Sequence, residues 1–539
     1  MKRKKHLQQG NPKVAKESKC SFTSTLLIQP PGWTYLPGGI YFSLPLLKGF
    51  LENSGLNVSV LDLNIEFSHR NRFSITAAEV NKVGASFNLE TYSELYYRSE
   101  DRITEIVSPY NAIWDIQSGF NFTGCNLKSS ESIREFSFLK SPFDEMYLDT
   151  LLKKIQAEDI PIIGFSIIVP SQLLTSLIAI RVLRNAGYLG KIIVGGNMIT
   201  RLGDDFIKKW IFELIDAAVL FQGEKCIAEY VAAHESNSSL SSIPNLIWKD
   251  KNGIQKNRIE YLKPTEFGRP SYNGIENEKY WGNQYLPILG SRGCYYGKCT
   301  FCAIPYAYGN NGFLGNDKPI NVFTDIQNGI ATTGIRNFKF VDEALHPTIL
   351  RKLSDDIIKQ RVECSFEGYA RLDNFWMDSK FLKLVSAAGL KKVYIGLELI
   401  NSTKRDLLNK SDSDKAIELL KAFADKGIKT HLFTLFGYPG TGVEEAMNTI
   451  EFCLNNSSLI DSIDVFPFYF AKHTQVGLID KKLFPNEDWA IEYDYLPAAE
   501  NVLTQMEVET LCNELEEVVW AEQPQWLHPI YRMFSPWKN

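Results

Sequence analysis

The sequence lacks the features of three broad classes of protein. Its net charge of −5 over 539 residues provides no basic excess for general nucleic-acid binding. It contains no Gly-x-Gly-x-x-Gly, so a dinucleotide site is not indicated. A long uncharged stretch, residues 162–180, is interrupted by Pro170, Ser171 and Gln172, which favours a buried strand and then a helix over a membrane span.

A secretory signal and a regular cysteine framework are also missing. Residues 1–20 are rich in lysine but are not followed by an apolar run, so they are predicted to be a disordered basic tail. The nine cysteines are irregularly spaced, which is typical of a protein kept in a reducing compartment. We therefore expect a cytoplasmic protein.

Three of the cysteines lie close together in one short stretch. Cys294, Cys299 and Cys302 are separated by four and then two residues in a loop that begins with a glycine. Thiolates at this spacing can hold a 4Fe-4S cluster, and three of them leave one iron open to an outside molecule. A structural zinc site, which needs four ligands, and a chance grouping of buried thiols are the alternatives. The next candidate ligands, His346 and Cys364, are far along the chain.

This stretch resembles the cysteine loop of the radical S-adenosylmethionine (SAM) enzymes. In that family the amino and carboxylate groups of SAM bind the open iron. The usual gaps are three and two residues, whereas the first gap here holds four. The resemblance implies a 4Fe-4S cluster and SAM as cofactors, and an external electron donor such as flavodoxin or ferredoxin.

Residues 21–235 alternate between strand and helix patterns, which predicts a doubly wound, Rossmann-like α/β domain. Residues 67–158 interrupt the alternation and are predicted to be a largely helical insertion. Helices are expected at 41–53, 173–185 and 204–212. A ligand of such a domain lies beyond the carboxyl ends of its strands, where Gly195, Gly196 and Gly223 are found. These glycines favour either close approach of a ligand or tight turns.

The polar residues 236–284 are predicted to be a linker, and residues 285–480 a partial (β/α)6 barrel with its chemistry at the carboxyl-terminal edge. Six strands are expected, at 286–290, 337–341, 363–369, 392–397, 429–436 and 462–470. Residues 481–539 are predicted to be a small helical C-terminal region. Its helix at 507–520 is expected to close the open side of the barrel, and substrate recognition is the alternative role.

An α/β domain placed directly before the three-cysteine loop resembles the cobalamin-binding radical SAM class, which includes the class B methyltransferases. The turns at Pro30 and Pro31, at Gly195 and Gly196, and at Gly223 and Glu224 match those that line the corrin in that class. The Asp-x-His-x-x-Gly that supplies a lower ligand to cobalt in other cobalamin proteins is absent, as is usual in this branch. The resemblance therefore implies cobalamin as a third cofactor.

The same resemblance assigns roles at the barrel mouth. Arg371 and Glu398 are expected to contact the charged and hydroxyl groups of SAM, and residues 437–440 to form the turn beside its adenine, with Phe301 against the same base. Asp342, at the end of a barrel strand, is a further candidate. The expected cofactor-binding residues are thus Pro31, Gly195, Gly196, Gly223, Glu224, Phe301, Asp342, Arg371, Glu398, Gly437 and Gly440, and the metal ligands are Cys294, Cys299 and Cys302.

The implied activity is reductive cleavage of SAM to a 5′-deoxyadenosyl radical, followed by cobalamin-dependent C-methylation of an unactivated carbon in a small molecule or peptide. A cyclase, oxidase or rearrangement enzyme with an empty cobalamin domain is the main alternative. An RNA methylthiolase is disfavoured because three further cysteines are missing from the N-terminal part. A non-catalytic iron-sulfur module is the remaining possibility.

Overall fold

Two parallel β-sheets organise the chain, one in each half. The computed structural model describes residues 24–528 apart from 36–37, 72–78, 80–87, 116–117, 281–283, 309–312, 315–320, 401–407, 409–414, 477–483, 485 and 495–502. The predicted basic tail and residues 529–539 lie outside the described residues. No helix of the described part combines the length and apolar character needed to cross a membrane.

The first sheet has the strand order β2-β1-β5-β6-β7-β8-β9, and its first five strands run parallel. This order is that of a doubly wound sheet with helices on both faces. The strands of this half are β1 Ser24–Gln29, β2 Asn57–Asp62, β3 Ala112–Asp115, β4 Gly119–Phe122, β5 Ile162–Ser166, β6 Lys191–Gly195, β7 Ala217–Val219, β8 Leu246–Asp250 and β9 Gly253–Lys256. The helices are α1 Ser43–Asn53, α2 Leu63–Arg70, α3 Leu89–Val107, α4 Ser130–Phe136, α5 Asp144–Met146, α6 Lys153–Ala157, α7 Pro170–Asn185, α8 Asn197–Leu202 and α9 Glu224–Ser236.

Two predictions for this half need correction, the helix at 204–212 and the linker. The helix expected at 204–212 lies earlier, as α8, because Gly203 with φ +58° ends it, and two short 3₁₀ turns follow. The predicted linker contains β8 and β9, which extend the first sheet: β8 pairs antiparallel with β7, and β9 pairs antiparallel with β8. Their pairing is stabilised by Leu246 and Ile247, which are fully buried. The insertion is mainly helical but also holds the hairpin β3–β4.

The second sheet contains six parallel strands in sequence order, which confirms the predicted partial barrel. The strands of this half are β10 Leu286–Ile288, β11 Arg292–Gly293, β12 Phe313–Leu314, β13 Asn337–Phe340, β14 Ser365–Ala370, β15 Leu390–Glu398, β16 Lys429–Phe436, β17 Ser462–Pro467, β18 Phe470–Ala471 and β19 Glu492–Tyr493. The helices are α10 Ile304–Ala307, α11 Val322–Thr333, α12 Pro347–Gln360, α13 Ser379–Ala387, α14 Ala416–Ala424, α15 Val443–Asn455, α16 Gln505–Glu522 and α17 Pro524–Leu527.

The barrel strands alternate between an outer apolar face and an inner polar one. On β15, Val393 and Ile395 are fully buried in the apolar core that the surrounding helices share. The intervening Tyr394 projects inward, where its hydroxyl donates to Glu367 Oε2 on β14 at 3.0 Å. Period-two alternation therefore leaves the barrel interior lined by side chains that can contact a ligand.

The segment after β17 returns to the first half of the molecule. Trp489 stacks on Phe206 with ring centroids 5.6 Å apart, and its Nε1 donates to the carbonyl of Asp205 at 2.9 Å. Arg201 donates to the carbonyl of Ile491 at 2.8 Å. Part of the predicted C-terminal region is thus packed against the first half, whereas the predicted closing helix corresponds to α16 beside the barrel.

Candidate functional site

The carboxyl ends of both sheets border one cavity of about 640 Å³. The ends of β1, β5, β6 and β7 form one wall, and β10, β13 and β14 form the other. This position matches the rule that ligands bind beyond the carboxyl ends of parallel strands, and here two such edges face each other. The volume is in the range of ordinary small-molecule and cofactor sites.

Four of the residues predicted in the first half line this cavity, namely Gly195, Gly196, Gly223 and Glu224. Gly196 is required by a tight turn: its φ is +107°, and a Cβ there would stand 2.3 Å from the carbonyl oxygen of Ile167. Pro31 does not line the cavity. Its carbonyl instead accepts a hydrogen bond from the Thr175 hydroxyl at 2.6 Å, which joins the end of β1 to α7.

Three buried amide side chains in the first wall have polar atoms without partners. Gln29 Oε1, Asn64 Oδ1 and Gln222 Nε2 make no hydrogen bond within the described residues, and all three side chains border the cavity. An unpaired buried amide costs free energy unless a ligand or water completes it. This wall therefore fits a ligand that itself carries amide groups and can both donate and accept.

The cysteine loop is fixed at its start by Asp342, at the end of β13. The backbone N–H of Gly290 donates to Asp342 Oδ2 at 2.8 Å, and the Ser291 hydroxyl donates to Oδ1 at 2.7 Å. Burial raises the pKa of Asp342 to about 6, against the lowering effect of these hydrogen bonds. Because both oxygens are used on the loop, Asp342 positions the loop and does not stand free to bind a cofactor.

A buried ion pair joins the same loop to the first half of the molecule. Arg292 pairs with Glu224, the first residue of α9, and its guanidinium lies 4.2 Å from the ring centroid of Phe267. Both charged side chains are almost fully buried and border the cavity. Glu224, predicted from the resemblance to line the corrin, therefore also serves as the partner of Arg292.

The three loop thiols are partly exposed and lie within electrostatic reach of one another. Burial raises the pKa of Cys302 to about 12, and Cys299 and Cys294 add to the effect. Arg371 Nη1 lies 3.9 Å from Cys299 Sγ, and the guanidinium stacks over Tyr296 at 3.7 Å. Within the described residues no three His, Cys, Asp or Glu side chains are grouped closely enough to hold one metal ion. Three thiols are nevertheless a ligand set suited to the wider 4Fe-4S cluster, and Arg371 places a positive charge beside one of them.

Glu398 and the turn at 437–440 show special backbone conformations. Glu398 has φ +61° at a register shift of β15, and such strain is typical of functional sites. Gly437 has φ +80°, and a Cβ there would lie 2.3 Å from Val508 of α16, while Gly440 has φ +87°. The Tyr438 hydroxyl lies 2.9 Å from Thr300 Oγ1, which ties this turn to the cysteine loop.

Phe301, the last of the predicted site residues, is partly buried and packs against the apolar core of the barrel. Two further charged residues line the cavity, Glu343 and Lys339, and neither is among the expected cofactor-binding residues. Glu343 follows Asp342, and burial raises its pKa to about 7, with Asp342 adding to the effect. It also acts electrostatically on Cys302, which places it near the loop thiols. Lys339, Val341 and Glu343 occur at every second position, so the sequence could indicate that their side chains share one face. It could not indicate that this face lines the cavity.

Residues 288–453 match the family profile described as the radical SAM superfamily. These residues form a radical SAM domain. The assignment implies a 4Fe-4S cluster and SAM as its cofactors.

Two curated proteins share sequence with parts of the chain. The anaerobic magnesium-protoporphyrin IX monomethyl ester cyclase of Synechocystis sp. is 25% identical over 220 residues, which cover 38% of this chain and 43% of the cyclase. The 4′-phospho-dehydrooxetanocin synthase of Priestia megaterium is 21% identical over 305 residues, 52% of this chain and 40% of the synthase. The chain thus spans less than half the length of these relatives.

Solved structures show the same fold over most of the chain. The radical SAM methyltransferase TsrM from Kitasatospora setae, with cobalamin and a [4Fe-4S] cluster bound, has a TM-score of 0.54 at 16% identity, covering 85% of this chain and 77% of TsrM. The cobalamin-dependent enzyme OxsB, with aqua-cobalamin and SAM bound, has a TM-score of 0.55 at 14% identity, covering 94% and 62%. The domain fold therefore confirms the predicted combination of an α/β domain and a radical SAM barrel.

Proposed function

We propose that this protein cleaves SAM reductively and, with cobalamin, methylates an unactivated carbon of a small molecule or peptide. The observation that supports it best is the shared cavity, in which unpaired amides of the first half face the mouth of the radical SAM domain. An external electron donor and a cytoplasmic location belong to the same proposal. The cysteines that the structure describes are free thiols, as that compartment requires.

The residues of the barrel mouth fit a cluster and SAM. Cys294, Cys299 and Cys302 would hold three irons, and Arg371 beside Cys299 would offset their negative charge. Glu343 borders the cavity and has a hydrogen-bond partner in Tyr308, and its carboxylate would pair with the ammonium group of SAM. Glu398 and the turn at 437–440 would contact the nucleoside.

The first wall fits the corrin. Gln29, Asn64 and Gln222 would hydrogen-bond the amide side chains of cobalamin, and Gly195, Gly196 and Gly223 allow its ring to approach the backbone. When bound, the cluster with SAM supplies a 5′-deoxyadenosyl radical and cobalamin supplies a methyl group. The protein positions these groups around one cavity and shields them from water.

The test is anaerobic reconstitution with iron, sulfide and hydroxocobalamin, followed by SAM and a reductant. We expect bound corrin and release of 5′-deoxyadenosine in the wild type. Cys299→Ala should abolish the 5′-deoxyadenosine, whereas Cys364→Ala, a thiol outside the loop, should not. Release of no 5′-deoxyadenosine by protein with an intact cluster would contradict the proposal and leave an iron-sulfur module.

A cobalamin-free cyclisation, oxidation or rearrangement is the second candidate. The sequence similarity to a protein named as a cyclase supports a cyclisation, and that name describes the reaction and not the cofactor. The same experiment separates the two candidates. Cysteine-dependent 5′-deoxyadenosine without retained corrin would favour the second.

A further inference from the structure

Lys339 places a positive charge on the barrel side of the cavity. It lies on β13 between Pro287 of β10 and Glu367 of β14, and its side chain is 24% exposed. Pro287 and Lys339 both border the cavity. An ammonium group here is inside the molecule but open to a ligand.

The neighbours of this ammonium are one carboxylate, that of Glu367, and the rings of Tyr394 and Tyr285. Lys339 Nζ lies 3.4 Å from Glu367 Oε1, 4.9 Å from the ring centroid of Tyr394 and 5.7 Å from that of Tyr285. It makes no hydrogen bond within the described residues, while Glu367 Oε2 accepts one from Tyr394 at 3.0 Å. A lysine ammonium has three donors, so this one can bind an acceptor on a ligand.

A ligand bound at Lys339 would extend towards the cysteine loop. Lys339, Val341 and Glu343 follow one another on the cavity side of the chain. Lys339 lies within β13, whereas Glu343 lies three residues beyond the carboxyl end of that strand and acts electrostatically on Cys302. A molecule with an acid group at Lys339 would extend past Val341 towards the place where SAM is expected.

Aromatic rings form part of the cavity wall near Lys339. Tyr285 and Tyr369 border the cavity, and Tyr369 stacks on Phe433 with ring centroids 6.0 Å apart and an interplanar angle of 19°. Flat aromatic surfaces bind apolar or aromatic bodies without fixing one shape. The site thus combines one cationic end with an apolar, aromatic middle.

We propose that Lys339 binds a carboxylate of the substrate, and that the substrate is an acid with an apolar or aromatic body. This inference rests on the proposed function, because it assumes that the cavity receives the substrate of a radical reaction. A carboxylate forms charge-assisted hydrogen bonds with an ammonium, whereas the matching amide does not.

The test uses 3-phenylpropanoate and its uncharged amide, 3-phenylpropanamide, as probes of one shape. Their dissociation constants are measured by ligand-observed NMR on the anaerobically reconstituted protein with cobalamin. We expect the carboxylate to bind the wild type at least about tenfold more tightly than the amide. Lys339→Met should bring the ratio to about one, and so should the double variant K339M/E367Q, which does not leave Glu367 as an unpaired charge. Lys352→Met, at an exposed lysine paired with Asp356, should keep the wild-type ratio.

Any of three results would overturn the inference. The wild type could bind the two probes equally well, neither probe could bind, or the preference for the carboxylate could persist in both Lys339 variants. Loss of corrin from those variants with an unchanged ratio would also overturn it, because Lys339 would then serve the cofactor. Release of 5′-deoxyadenosine is measured on the same wild-type samples. Its absence would count against the proposed function alone, since the selectivity for the carboxylate is read from binding.

Discussion

Two buried carboxylates, Asp342 and Glu224, act on the cysteine loop through different neighbours. Asp342 fixes the backbone at Gly290 and Ser291, and Glu224 fixes the side chain of Arg292 from the other half of the molecule. Neither role is visible in the sequence, because the partners are 51 to 68 residues apart. Glu224 was expected to contact the corrin because of the family resemblance, and Asp342 was a candidate because it follows a barrel strand.

Arg292→Met should destabilise the protein because it leaves Glu224 buried without a partner. Breaking a buried pair in this way costs about 3–5 kcal/mol, whereas removing both charges costs much less. We expect the double variant R292M/E224M to recover most of the free energy of unfolding, measured by urea titration. Lys225→Met, in an exposed pair with Glu260, should change it by less than about 1 kcal/mol. Equal effects of R292M and K225M would contradict the importance of the buried pair.

His528 should make stability depend on pH. It is 1% exposed, stacks near Trp520 and Tyr96, and burial lowers its pKa to about 4. Between about pH 6.5 and 4 the unfolded chain binds a proton that the folded chain does not, so stability falls as pH falls by up to about 1.4 kcal/mol per unit.

The measurement for His528 is the free energy of unfolding at pH 7.5 and at pH 5.5. His528→Phe keeps an aromatic ring and should lose less stability at pH 5.5 than the wild type. His234→Gln, at an exposed histidine, should behave as the wild type does. An identical pH dependence in wild type and H528F would exclude His528 as the source.

At the scale of elements, the contact between α16 and the turn at 437–440 joins the C-terminal region to the site. Gly437→Ala combines an unfavourable φ with a Cβ 2.3 Å from Val508. Gly427→Ala is a matched control, because its φ is +66° but nothing lies within 4 Å of its added Cβ. We expect G427A to cost about 1 kcal/mol of the free energy of unfolding and G437A clearly more.

Val508→Ala should restore part of the loss in G437A by making room for the added carbon. The binding of SAM, followed by equilibrium dialysis on the reconstituted protein, should weaken in G437A and not in G427A. If G437A and G427A behave alike in both measurements, the contact with α16 does not support the turn.

The alternating strands and helices of the two sheets could be predicted from the sequence, whereas β8, β9 and the hairpin β3–β4 could not. The six barrel strands follow runs of apolar residues bounded by turns, and in α12 the apolar residues Ile349, Leu353 and Ile357 mark one helical face. Strands β8 and β9 were missed because serine-rich and polar residues surround them, whereas the pairing of β8 with β7 places the buried Leu246 opposite Val219. The hairpin β3–β4 was missed for the same reason, a tertiary contact that no local pattern records.

At the scale of the whole molecule, the candidate site exists only because two sheet edges face each other. The sequence identified the thiols and the strand ends of each half, but not that Glu224 and Arg292 would meet or that Lys339 and Glu343 would share one cavity with Gln29. Contacts between distant parts of the chain decide these neighbours. A single cavity bordered by both halves is the arrangement that a reaction needs when two bound groups must act on one substrate.

Two buried amides of the first wall, Gln29 and Gln172, differ in their hydrogen-bond partners. Gln29 Oε1 has no partner in the described residues, whereas Gln172 donates to the carbonyl of Pro30 at 3.1 Å and accepts from the N–H of Ile168 at 3.0 Å. Gln29→Met should therefore raise the free energy of unfolding of the cobalamin-free protein by about 1 kcal/mol, and Gln172→Met should lower it by about 1–3 kcal/mol. A site that retains an unpaired amide at a cost to stability is best explained by a ligand that pairs with it.

The second measurement is the retention of cobalamin by the wild type and by the Gln29 variant. If Gln29 serves the corrin, Q29M should retain cobalamin about tenfold less tightly than the wild type, measured by absorbance after dialysis, although the variant is the more stable protein. Opposite changes in stability and affinity cannot come from a general loosening of the fold, which would lower both. Unchanged retention in Q29M would mean that the unpaired amide is not part of a corrin site, and would favour the cobalamin-free reaction for this molecule.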